Sequence, residues 1–150
     1  MIKIAEIIST VFYIGKLPVA PGTWCSFIAF LSWYFLRSQV EGVFILYASL
    51  VLFFIGVAVT TIYSESIGEE DPPEIVIDEW VGQWIALWLI PHTFFWGFTS
   101  FILFRIFDIL KLGPVRNMEE IKSGTGIMID DVIAGILALL VTQSLVYFIL

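Results

Sequence analysis

Residues 75–111 read IVIDEWVGQWIALWLIPHTFFWGFTSFILFRIFDILK, and the fold turns on whether this apolar stretch crosses a bilayer once or twice. As a single span it is longer than the roughly 20 residues a membrane helix needs, with Pro91 and His92 in its middle. As a hairpin broken at Pro91-His92 it gives two helices of about 14–20 residues, near the lower limit for spanning once tilted. The charges decide between the two. With the hairpin, Lys3, Lys16, Arg105, Lys111, Arg116 and Lys122 fall on one side and Arg37 on the other, the asymmetry expected of a cytoplasmic face. With a single span, the loops at 65–76 and 112–126 lie on opposite faces and that rule is poorly obeyed.

Outward from this stretch the chain reads as one all-α domain of 150 residues, a polytopic membrane helix bundle. It is 59% hydrophobic, more apolar surface than a soluble core of this size can hide. Residues 1–14 form an amphipathic helix, and GKLPVAPG at 15–22 is a loop. Apolar helices follow at 23–36 and 43–63. The acidic loop 65–76 ends in Pro72-Pro73, a helix start. Beyond the hairpin and a polar loop at 112–126, residues 127–150 make a last helix. The expectation is five crossings with the N-terminus inside and the C-terminus outside.

Composition also excludes. A net charge of −7 argues against nucleic acid, whose phosphate backbone needs a basic footprint. A single cysteine, Cys25, rules out an intrachain disulfide. It has no arginine six positions on, where Leu31 stands, so a cysteine phosphatase loop is absent. His92 is the only histidine and sits at the far turn, which removes a Ser-His-Asp triad. No Walker-type glycine loop is present, and no signal peptide is expected at the start. The six tryptophans read first as interface anchors and packing.

The polar residues gather in three clusters at the cytoplasmic helix ends. Gly22 and Thr23 open a helix whose free N–H groups can bind an anion, with Lys16 as an added point charge. The plainer reading of that cluster is an ordinary proline-glycine helix entry. Asp78, Glu79 and Gln83 lie in a run of aliphatics and tryptophans, where adjacent carboxylates are costly unless paired or metal-bound. Asp78 can also serve as an N-terminal dipole partner, and Glu79 can snorkel to solvent.

The third cluster is split. Arg105, Asp108 and Lys111 follow at three-residue spacing on one helical face, and Asp130 and Asp131 begin the last helix. One Arg–Asp pair is a structural ion pair. Five carboxylates on three helix ends at one face would repel strongly in low dielectric. Hard oxygen donors without His or Cys suit Mg²⁺, and Arg105, Lys111 and Arg116 suit a phosphate. Adjacent helical residues point about 100° apart, so one member of Asp78/Glu79 and of Asp130/Asp131 can face elsewhere.

Taken together, PVAPGT at 18–23, IVIDEWVGQWIAL at 75–87, FRIFDILK at 104–111, GPVR at 113–116 and GTGIMIDDVIAG at 124–135 resemble the phosphatidylglycerophosphatase A family along nearly the whole chain. The resemblance implies a Mg²⁺-dependent lipid phosphatase of the bacterial inner membrane. It would convert phosphatidylglycerophosphate, its phospholipid substrate, to phosphatidylglycerol at the cytoplasmic face. It carries over Asp78, Glu79, Gln83, Arg105, Asp108, Lys111, Arg116, Asp130 and Asp131. The chain departs from the family pattern at Cys25, where glycine is usual, at Leu112, where proline is usual, and at Ser123, where histidine is common.

The expected site therefore has Asp78, Glu79, Asp108, Asp130 and Asp131 holding one or two Mg²⁺. Asp78, Asp108, Asp131, Arg105 and Lys111 would be catalytic. Lys16, Gly22, Thr23, Arg105, Lys111 and Arg116 would bind the phosphate, and Gln83 would support. The rival from another class is a small channel or transporter using the carboxylates as a cation pathway. Five short helices leave little room for the internal repeat most transporters carry.

Overall fold

A computed structural model describes residues 1–114, 116 and 124–150; Lys122 and Ser123 lie outside the described residues. Among those residues the chain forms six α-helices and no strand. They are α1 (Ile2–Ser9), α2 (Pro21–Leu36), α3 (Gly42–Ile67), α4 (Ile77–Leu87), α5 (Phe94–Leu110) and α6 (Gly124–Ile149). The stretch 75–111 is broken as the proline suggests, with residues 88–93 between α4 and α5. Thr93 caps α5 by accepting from the Trp96 N–H at 3.3 Å, and His92 Nε2 meets the Tyr34 carbonyl at 2.7 Å.

The second helix starts at Pro21, inside the expected loop, and the last at Gly124 instead of 127; two further boundaries differ from the sequence reading for local reasons. The first helix ends at Ser9 instead of near residue 14. Thr10 Oγ1 donates to the Glu6 carbonyl at 2.8 Å and accepts from the Tyr13 N–H at 3.1 Å, a side-chain alternative to the helical ladder. Val11, Phe12 and Tyr13 then take left-handed backbone (φ 46, 52 and 67) before a short 3₁₀ turn, Ile14–Lys16. The third helix runs on to Ile67, where Gly68 at φ 74 closes it.

Among the described residues two helices, α3 and α6, are long and apolar enough to cross a membrane, with mean hydropathies of 2.6 and 2.3. Their outward faces carry Phe44, Tyr47, Val51 and Phe54 on α3 and Leu140 and Phe148 on α6, all exposed. The other three expected crossings are shorter. With 11 residues, α4 extends only about 16 Å, against a hydrocarbon core of about 30 Å. It is the central helix, packed on α2, α3, α5 and α6 and buried at nine of its eleven residues. Its length is matched to protein neighbours instead of lipid.

The core around α4 is aromatic. Phe30 and Trp33 of α2 are fully buried and pack with Trp84, Leu87 and Phe101. Trp84 is tied at its polar end, where its Nε1–H donates to the Ala29 carbonyl at 3.1 Å and to Ser32 Oγ at 3.0 Å. An indole whose N–H is satisfied this way fixes the register of α4 on α2. Trp84→Phe keeps an aromatic ring and removes that donor. The expected cost is about 1 kcal/mol, read by denaturation of the detergent-solubilised protein, and no measurable cost would show that the N–H is not the tie.

Candidate active site

Three helix ends converge at one side of the bundle: the starts of α4 and α6 and the end of α5. Pro72-Pro73 precedes α4. Its entry is held from both sides, because the Val76 N–H donates to the Ser9 carbonyl at 2.9 Å and the Cys25 thiol donates to the Val76 carbonyl at 3.1 Å. Asp78 and Glu79 consequently sit in the first turn of α4, where the positive end of the helix dipole favours negative charge. The buried thiol is spent on packing and on that hydrogen bond.

Asp78, Glu79 and Asp131 each offer an oxygen, and those oxygens lie within 4.8 Å of one another. Asp78 and Asp131 are buried and Glu79 is half-buried. Asp78 Oδ1, Glu79 Oε2 and Asp131 Oδ2 are out of reach of solvent and have no hydrogen-bond partner among the described residues. Buried polar atoms are nearly always satisfied, and three like charges this close repel. A hard divalent cation would answer both problems, so these residues fit Mg²⁺.

The other two expected ligands are placed differently. Asp108 is held by Arg105, Nη1 to Oδ2 at 2.5 Å, and Asp130 by Lys111, Nζ to Oδ2 at 3.4 Å. All five carboxylates and Lys111 line one cavity of about 250 Å³. The five acids converge, then, but the structure divides them into a trio with no ion pair among the described residues and two ion pairs. Burial pulls the Lys111 ammonium down, and Asp130, Asp131 and Asp108 around it outweigh that, leaving its pKa above the ordinary lysine value.

Arg105 makes its ion pair through one of its two terminal nitrogens. Its Nη1 also reaches Ser26 Oγ at 3.3 Å, and its buried Nε has no partner among the described residues. At Gly22 a Cβ would collide with Glu79 Oε1 and come within 3.4 Å of Arg105 Nη2. The N-terminus of α2 therefore faces a carboxylate of the chain itself, beside a guanidinium, where the sequence suggested room for a phosphate. Thr23 is half-buried one residue on.

The remaining expected residues separate. Lys16 is not brought into this group, because its ammonium is taken by Glu6 and, at 4.0 Å, by Glu74. Arg116 is exposed. Gln83, one turn beyond Glu79, is fully buried with neither amide atom partnered among the described residues. Two residues of the site were missed. Asp71 lines the cavity, and its signal was an acid placed directly before Pro72-Pro73. Ser26 gave no signal, being one small residue in an apolar helix.

Among known proteins, a family profile described as phosphatidylglycerophosphatase A matches residues 7–146. A Bacteroides thetaiotaomicron protein provisionally named phosphatidylinositol-3-phosphatase is 42% identical over 137 residues, covering 87% of this chain and 86% of its own. Phosphatidylglycerophosphatase A of Haemophilus influenzae is 37% identical, covering 91% of this chain and 85% of its own. The Escherichia coli protein of the same name is 34% identical, covering 90% and 77%. No solved structure matches.

The crowding of the trio has a thermodynamic consequence. Removing one charge from an uncompensated buried group of like charges relieves repulsion. In chelator, Asp131→Asn is expected to raise the thermal midpoint of the purified protein and to abolish any gain from added Mg²⁺. A lowered midpoint in chelator would mean that Asp131 is stabilised by its neighbours and not strained by them.

Proposed function

The chain belongs to the phosphatidylglycerophosphatase A family, and we propose that it hydrolyses the terminal phosphomonoester of phosphatidylglycerophosphate, releasing phosphatidylglycerol and phosphate. The observation that carries this is the trio Asp78, Glu79 and Asp131, its oxygens within 4.8 Å of one another and with no ion pair among the described residues, on one cavity with Lys111 and near the Arg105–Asp108 pair. A cation pathway would want the acids strung along the bundle; here they are gathered at one end of three helices.

In this proposal Asp78, Glu79 and Asp131 hold Mg²⁺, which when bound supplies Lewis acidity and an ordered water. Asp108 and Asp130 act on the cations instead. Asp108 and Ser26 fix the Arg105 guanidinium from one side, leaving its other edge for the phosphoryl oxygens, a planar fork against a tetrahedral anion. Lys111, held charged by its acidic surroundings, takes up charge that grows on the transferring group. Arg116, exposed, attracts anionic headgroups by a screened field.

The Bacteroides relative favours a second reading, in which the phosphomonoester sits on an inositol headgroup. Phosphate release from the two lipids in mixed micelles separates them. Preference for phosphatidylglycerophosphate is expected; preference for phosphatidylinositol 3-phosphate would replace the first reading, and release from neither would favour the channel. Arg105→Lys is expected to lower kcat by about 10²–10³-fold, the cost of one lost preorganised donor. Arg116→Ala should mainly raise KM, by an amount that salt diminishes.

We also propose five crossings with the N-terminus in the cytoplasm and the carboxylate cavity at the cytoplasmic face of the bacterial inner membrane. The break between α4 and α5 and the charge asymmetry across it support this. A cysteine introduced at residues 91–93 should label from outside the cell and one at 68–71 only after permeabilisation; labelling of both from one side would overturn the topology.

A further inference from the structure

Asp78, Gly82 and Ala86 follow at four-residue intervals on α4, and Asp131, Gly135 and Ala138 at four and three on α6, so each series lines one face of its helix. These faces meet. A Cβ on Gly82 would lie 2.5 Å from the Asp131 carbonyl oxygen and 2.7 Å from Phe104 Cε2. A Cβ on Gly135 would collide with the Gly82 carbonyl oxygen and lie 3.1 Å from its carbon. One turn further on, Ala86 and Ala138 are fully buried in the same cluster. Because Asp78 meets Asp131 one turn before Gly82 meets Gly135, the two helices run parallel through the contact.

We infer that the Gly82–Gly135 crossing sets the spacing of the metal-binding carboxylates, and that both glycines are positioning residues for the ion. The nearest obstacle each missing side chain avoids is backbone, which no rotamer change can move aside. Restoring ordinary contact, about 3.5–4.0 Å between heavy atoms, from 2.5 Å would part the helices by roughly 1 Å. Two oxygens on one Mg²⁺, bound at about 2.0–2.1 Å, can stand at most about 4.2 Å apart, whereas Ca²⁺ at about 2.3–2.6 Å tolerates about 5 Å. The trio's oxygens lie within 4.8 Å of one another, near these limits, so a widening of about 1 Å disfavours Mg²⁺ more than Ca²⁺.

This inference rests on the carboxylate trio binding a metal, and the test separates the two. Thermal melts of purified protein are titrated with Mg²⁺ or Ca²⁺ alone. Gly82→Ala and Gly135→Ala are expected to need about 10- to 100-fold more Mg²⁺ for half of the stabilisation, the usual cost of losing a ligand's support, with a clearly smaller change for Ca²⁺. Gly97→Ala is the control. Its Cβ would meet the Phe30 and Trp33 rings at 2.6 Å, so it overpacks a crossing remote from the carboxylates and should lower the midpoint without moving either requirement.

An unchanged Mg²⁺ requirement at both glycines, or the same shift in Gly97→Ala, overturns the positioning role. Absence of any metal effect in the parent overturns the metal reading and this inference with it. Should the glycine variants not fold, Ala86→Val wedges the same seam one turn further from the acids and is expected to shift the requirement in the same direction by less; no shift there also overturns the role.

Discussion

Asp78, Glu79 and Asp131 hold their oxygens within 4.8 Å of one another at the wall of one cavity, and the repulsion between them has to be offset from the surrounding fold. Several features do so in part. The first turn of α4 gives Asp78 and Glu79 the favourable end of a helix dipole. The glycine entry of α2 lets a second helix start approach Glu79. Arg105 stands close, though its strongest contact is with Asp108. What is left over is a set of oxygens with no hydrogen-bond partner among the described residues, which a hard cation would satisfy.

The need to bring three helix ends to one face explains the unusual proportions of the bundle. A hairpin at residues 88–93 returns the chain so that α5 finishes where α4 began, and α6 can then start beside both. α4 is short because it is enclosed; its neighbours, not lipid, satisfy its sides. Small residues along its seam with α6 allow the backbones to approach as membrane helices do when no hydrophobic effect drives them together. Close packing, in this bundle, transmits position from a glycine pair to a pair of aspartates one turn away.

Much of this was legible in the sequence where a residue acts through its own helix. Pro91 breaks a helix whatever surrounds it, and charges sort by face along a single chain, so the hairpin could be read directly. The five acids could be assigned to one end of the bundle for the same reason. That Asp108 pairs with Arg105 could be read from their spacing on one helix; that Asp130 pairs with Lys111 could not, because the answer lies in how α5 rotates against α6, and periodicity is silent on rotation between helices. Lys16 shows the same limit from the other side: its partners, Glu6 and Glu74, come from α1 and the loop before α4. The left-handed run Val11–Tyr13 had no glycine to announce it; the Thr10 hydroxyl that accompanies it is a common residue in helices and turns alike.

The division of labour within the cavity bears on what a site of this kind can recognise. At about 250 Å³ the space falls below the roughly 300–1,000 Å³ of pockets that engulf a whole small ligand. Its lining is six carboxylates, Asp71 among them, with Lys111, two prolines and two isoleucines, which is chemistry for a cation and a phosphoryl group. Two relatives of similar coverage carry names with different lipid headgroups, and both lipids present the same phosphomonoester. On the proposed mechanism the motifs at 75–87, 104–111 and 124–135 then serve the reacting group, and headgroup preference has to arise from residues outside the cavity, where the headgroup itself would lie.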